Sequence, residues 1–146
     1  MKFGKVADLT GIDFSLPPMH PDTERILGGQ PDPNFQLYVG LPRWSSKDWL
    51  GDLYPKGTKA GEYLKHYAGT FNGIELNTTH YRSPGPDQVR KWAEQTEAGF
   101  HFSPKIPQLI SHYRKLAQVD RELQDFTEAI RVFGDKLGDS FLQVHD

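Results

Sequence analysis

The chain reads as an α/β fold, one half of a (βα)8 TIM barrel preceded by an irregular arm. Three observations predict this. Four short apolar runs alternate with three segments of helical period, the pattern of parallel β-α units. Within the runs, polar side chains collect on one face and thicken towards the carboxyl end. The 146-residue chain also stops two residues beyond the fourth run, leaving that strand without the helix that a parallel sheet needs over it. About four parallel strands and three helices are therefore expected, cut in mid-architecture.

Residues 1–36 form the arm. Pro17, Pro18, Pro21, Pro31 and Pro33 fix φ and remove backbone donors. One short turn of helix is expected over residues 22–27. Gly28 and Gly29 read as a bend, because they lack the strand-turn-helix setting of a phosphate loop.

The barrel half occupies residues 37–146. LYVGL (37–41) is the first strand-type run. Ala60, Leu64, Tyr67, Ala68 and Phe71 then recur at helical spacing. GIELN (73–77) is the second strand. Residues 84–96 form a helix with Val89, Trp92, Ala93 and Thr96 on one face, and Pro86 is acceptable in its first turn. FHFSPK (100–105) is the third strand. Val119, Leu123, Phe126, Ile130 and Phe133 make an apolar stripe, ended by Gly134 as a C-cap. SFLQV (140–144) is the fourth strand. Trp49 and Tyr54 are expected to close over a barrel end as core, and Trp92 to pack from its helix. Trp44 stands open between core and pocket.

Parity sorts each strand. Ile74 and Leu76 oppose Glu75 and Asn77; Phe100 and Phe102 oppose His101, Ser103 and Lys105; Leu142 and Val144 oppose Gln143 and His145. An open doubly wound sheet would be apolar on both faces. A barrel interior that turns polar near its mouth fits better.

Composition bounds the function. Hydrophobic residues at 36% and charged residues at 25% describe a globular chain. A net charge of −2 supplies no overall basic field for nucleic acid. Without cysteine there are no disulfides, thiolate nucleophiles or sulfur-bound metals. No run is long and apolar enough for a signal peptide or a membrane span, so the expected location is cytoplasmic.

Five ordered motifs, WSSKDWLGDLYP (44–55), FNGIELNTTHYRSP (71–84), KWAEQT (91–96), FHFSPKIPQLISH (100–112) and KLGDSFLQ (136–143), resemble the domain of unknown function 72 (YecE-like) family. The resemblance implies a TIM barrel of roughly 250 residues, of which this chain covers the first half or a little more. It supplies no reaction and no cofactor. The chain departs from the family pattern at Leu41–Arg43, at His80, where an aromatic is common, and at His145 and Asp146, where prolines are common.

The polar cluster after the second strand marks the candidate site. Glu75 and Lys105 are expected at inward positions of neighbouring strands, as general base and electrostatic clamp. The competing reading is an ion pair that fills the barrel. Arg82 and His112 follow the second and third strands on loops, and with Lys105 they would suit a small anionic ligand bearing phosphate or carboxylate. Asn77, Tyr81 and Gln143 would orient it, with Trp44 as a further contact. Glu75, His80, His112 and His145 are metal-type ligands without a metal-binding spacing, so no metal is assigned. His20, His66 and His101 carry no specific signal, and Arg114 and Lys115 are expected on a solvated face. The alternatives to an anion pocket are metal-dependent processing or binding of nucleic acid, by fold analogy, and a non-catalytic domain that binds a metabolite or protein. An open barrel edge would also make the isolated chain unstable or self-associating.

Overall fold

In a computed structural model, residues 8, 10–13, 15–30 and 32–144 are described. Pro31, His145 and Asp146 lie outside them. The chain divides into two compact units, residues 1–36 and 37–146. In the first, helix α1 spans Pro21–Leu27. Pro21 stands in its first turn, and His20 caps it by accepting the Asp22 amide on Nδ1 at 3.2 Å. No side chain of α1 is buried.

The second unit is built on two parallel strands, β1 (Gly73–Leu76) and β2 (His101–Pro104), paired Gly73 to His101 and Leu76 to Pro104. Helix α2 (Tyr63–Ala68) precedes β1. Helices α3 (Thr78–Tyr81) and α4 (Pro86–Glu94) lie between the strands, and α5 (Asp120–Ile130) follows β2. Alternation decides what each strand buries. Ile74, Leu76, Phe102 and Pro104 face a core with Leu64, Tyr67, Val89, Phe126 and Phe133, while Glu75, His101 and Ser103 face the other way. Phe102 stacks on Phe133 at 4.2 Å between centroids and meets Phe100 edge-on at 4.9 Å.

Four strands were expected, and two form. The other two runs lie beside the pair without a continuous ladder, and each edge shows why. Residues 37–41 run along β1, but side chains occupy the places of backbone partners. Asn72 accepts the Val39 amide at 2.7 Å and donates to the Leu37 carbonyl at 2.8 Å. The Tyr67 hydroxyl accepts the Leu41 amide at 2.6 Å and lies 3.2 Å from the Gly73 carbonyl, to which it can donate. Gly40 allows this approach, since a Cβ there would stand 1.9 Å from the Gly73 oxygen.

On the other side, residues 137–141 touch β2 at two points, Leu137 opposite Phe102 and Phe141 opposite Lys105. Four steps along one segment thus span three along the other, which is a bulge. Pro104 is its cause: it has no N–H to donate to this segment, so the ladder breaks there and resumes one residue later. The slip undoes the expected parity of the fourth strand. Leu142 and Val144 are 45% and 58% exposed, not buried.

The helices also differ from expectation. More than three form. The first expected helix is a 3-10 turn (Ala60–Glu62) leading into α2. The stripe expected to run to Phe133 is helical only to Ile130, followed by a 3-10 segment (Arg131–Lys136) in which Gly134 has φ 57° and ψ −130°, a region only glycine enters easily. Phe126, Ala129 and Ile130 are the buried positions of α5, so its seam turns away from Leu123, which is exposed. From the 3-10 segment, the Lys136 ammonium donates to the Ala93 and Thr96 carbonyls at 2.7 and 2.5 Å, capping the carboxyl end of α4. No helix of the described residues is long and apolar enough to cross a membrane.

Tyr54, Tyr63 and Tyr67 are buried together, with Tyr54 stacked on Tyr63 at 4.8 Å and donating its hydroxyl to the Trp44 carbonyl. Trp49 meets Tyr54 edge-on, and Trp92 packs against the core. Burial pushes the Tyr54 phenol up to about 12, with the neighbouring phenols adding to the effect, and burial also raises Tyr67.

Two tests follow from these tyrosines. Tyr67→Phe removes the group that satisfies the Leu41 amide, and chemical denaturation should show a loss of about 1–3 kcal/mol. Tyr63→Phe, whose hydroxyl takes no hydrogen bond among the described residues, should change stability by less than about 0.5 kcal/mol. Because Tyr54 ionises more readily unfolded than folded, the stability it lends is complete below its ordinary pKa near 10 and is lost as pH rises towards 12. A titration followed at the phenolate absorbance should show this tyrosine ionising together with unfolding, and Tyr54→Phe should shift that unfolding to higher pH.

Candidate functional site

The face of β1 and β2 turned away from the core forms the floor of a groove of about 680 Å³. Glu75, His101 and Ser103 stand on this floor; Tyr38 and Gly40 border one side, and Leu137, Gly138, Asp139 and Phe141 the other. Its depth depends on glycine at two edges. A Cβ on Gly40 would strike the Gly73 carbonyl, and one on Gly138 would lie 2.9 Å from Ser103 Oγ. The Tyr38 ring lies 4.0 Å from the His101 ring.

Glu75 lines the groove; Lys105, one residue beyond β2, is not among the lining residues but stands beside the ring of Phe141, which is. Glu75 and Lys105 do not pair with each other among the described residues. Each takes an amide instead. Glu75 Oε1 accepts from Asn77 Nδ2 at 2.8 Å. Lys105 Nζ donates to Gln143 Oε1 at 2.5 Å and lies 5.7 Å from the centre of the Phe141 ring. Gln143 thus reaches Lys105 although its segment is no regular strand, because the bulge returns Phe141 to register opposite Lys105.

The carboxyl ends of the strands are tied together by Thr79, which is fully buried. Its hydroxyl lies 2.8 Å from the Leu76 carbonyl and 2.6 Å from the Lys105 carbonyl, and its single proton serves one of them at a time. Beside it His80 Nδ1 meets the Ile106 carbonyl at 2.8 Å. A carbonyl only accepts, so Nδ1 carries the proton and Nε2 is the ring's other, open position.

Other expected site residues fall elsewhere. Tyr81 lines a second groove, of about 450 Å³, between α3 and the turn after β2. Arg82 is exposed at the end of α3. His112 lies in a π-helical turn (Leu109–Tyr113), with Nδ1 2.7 Å from Ser111 Oγ and its ring 5.0 Å from that of His80. Trp44 packs edge-on against Trp92 at 5.4 Å, on the core side of the unit. Arg114 is exposed and pairs with Glu122 at 3.0 Å. No group of three or more metal-type ligands occurs among the described residues, and His145 lies outside them.

Several lining residues were not singled out from sequence. Parity placed His101 and Ser103 on the polar side, and this was the available signal for them. Gly138 and Asp139 gave none, because their position depends on the break at Pro104. Tyr113 reaches the second groove only through the π-turn.

The geometry can be set beside known proteins. The chain is 36% identical over 109 residues to the UPF0759 protein YecE of Escherichia coli (strain K12), a match covering 74% of this chain and 37% of that protein. It is 27% identical over 79 residues to the UPF0759 protein YunF of Bacillus subtilis (strain 168), covering 54% and 27% respectively. The chain thus spans well under half the length of these curated relatives. In fold it is similar to a crystal structure of a DUF72 family protein from Enterococcus faecalis V583, with a TM-score of 0.53 and 23% identity over 68% of this chain and 36% of that one. The family model described as "Protein of unknown function DUF72" matches residues 38–146. With three quarters of its length matched to that model, the chain belongs to the DUF72 family.

Proposed function

We propose that the groove over β1 and β2 is the wall of a barrel mouth that binds a small ligand bearing a phosphate or carboxylate. The observation that carries this reading is the placement of Lys105. Its ammonium stands at the carboxyl end of β2, on the same side as Glu75, held by the Gln143 amide and beside the Phe141 ring. An ammonium held by a neutral amide has no carboxylate to offset it against an incoming anion, whereas one paired to Glu75 would. Glu75, oriented by Asn77, is then available as a base or as an acceptor for a ligand hydroxyl. The groove volume lies within the range of small-molecule sites. Arg82 and His112, on segments that leave the ends of β1 and β2, are not among the residues lining this groove, and the reading does not depend on them.

The test is a calorimetric titration with inorganic phosphate and with malonate. The protein should bind at least one of them saturably. Lys105→Met should weaken that binding by about 1.5–3 kcal/mol, tenfold or more. Glu75→Gln should alter the affinity severalfold, with circular dichroism showing both variants folded. If both variants bind as tightly as the parent, the assignment is wrong.

A further inference from the structure

We propose that the second groove, between α3 and the π-helical turn, is a separate site that takes a small aliphatic amine in its ammonium form. The groove is concave and of ligand size, about 450 Å³. Beside the neutral Ser83 and Gln108, it is lined by one histidine and two carboxylates. His80 is 6% exposed, and with Nδ1 committed to the Ile106 carbonyl the nitrogen it can offer the groove is Nε2, an acceptor in that tautomer, which takes no hydrogen bond among the described residues. Glu122 and Asp125 bring two carboxylates from α5, and no Lys or Arg is among the lining residues. Arg114 offsets Glu122 at 3.0 Å, while Asp125 has no ion pair among the described residues.

The apolar part is aromatic. The Tyr81 and Tyr113 side chains line the groove and are 73% and 70% exposed, an unusual degree for large rings. The π-turn presents Tyr113, and the chain just after it is held in a costly conformation, with Lys115, Leu116 and Gln118 at φ 47°, 66° and 53°.

A buried acceptor at His80, an unbalanced carboxylate and aromatic rings select a cation with N–H donors and a short alkyl stem. An ammonium can donate to His80 Nε2 and Asp125 while its charge and methylenes lie against the rings. An anion would meet two carboxylates. A neutral apolar ligand would leave Nε2 unpaired. The site is therefore opposite in sign to the groove over β1 and β2, and stands or falls independently of it.

The probe is butane-1,4-diamine, titrated into the full 146-residue chain with the histidine ring signals followed by NMR. It should bind saturably and shift the His80 ring resonances. Asp125→Asn and Tyr113→Ala, both at exposed side chains, should each weaken binding about threefold or more. Glu94→Gln, on the exposed side of α4, should leave it unchanged. Phosphate should not move the His80 signals. The proposal is overturned by an absence of saturation, by unmoved His80 resonances, or by binding that persists at full strength in both the Asp125 and Tyr113 variants.

Discussion

Parallel pairing of β1 with β2, in the register that sets Gly73 against His101, is the constraint from which the rest of residues 37–146 follows. Because strand side chains alternate, this single register sends Ile74, Leu76 and Phe102 into one core and leaves Glu75, His101 and Ser103 together on the other side. A slip of one residue would exchange the two sets, exposing Phe102 and burying Glu75. The hydrophobic cost of that exchange makes the polar face a consequence of the core. Thr79 then fixes the upper end of the pair, its one hydroxyl within reach of the Leu76 carbonyl of β1 and the Lys105 carbonyl just past β2.

The pair does not extend itself by simple repetition. At the β1 edge, an amide and a phenol from Asn72 and Tyr67 replace the backbone ladder, and Gly40 gives up its side chain to let the segment approach. At the β2 edge, Pro104 withholds a donor and forces a bulge. The bulge has a chemical result. It brings Phe141 and Gln143 to the Lys105 ammonium, and it places Gly138 and Asp139 on the groove wall. Irregular edges thus shape the site as much as the regular strands do.

Much of this was legible in the sequence where local pattern and burial agree. Strict alternation identified β1 and β2 and sorted their faces. Pro86 and the Val89–Trp92–Thr96 spacing identified α4. What failed was long-range. Nothing local in LYVGL announces that Tyr67, 26 residues on, will occupy its hydrogen bonds. A proline seen within FHFSPK could have warned of a broken ladder beside it, and so of the lost parity at Leu142 and Val144. The stripe from Val119 to Phe133 reads as one helix because Phe133 stays buried in the 3-10 segment that takes over at Arg131, so the apolar spacing outlasts the α-helix. At the site, residue types could nominate Glu75 and Lys105, but only packing shows that each is held by an amide, and that His80 and Tyr81 border a different groove.

Native-state hydrogen exchange tests the organising role of the β1–β2 register most directly. The amides of His101 and Lys105, which donate to Asn72 and Leu76 across the pair, should be among the slowest to exchange. In the adjoining segment, Gly138 and Phe141 should be protected, while Asp139, Ser140, Leu142 and Val144 exchange quickly. Uniform protection across residues 138–144, or rapid exchange at His101 and Lys105, would contradict this register and the site built on it.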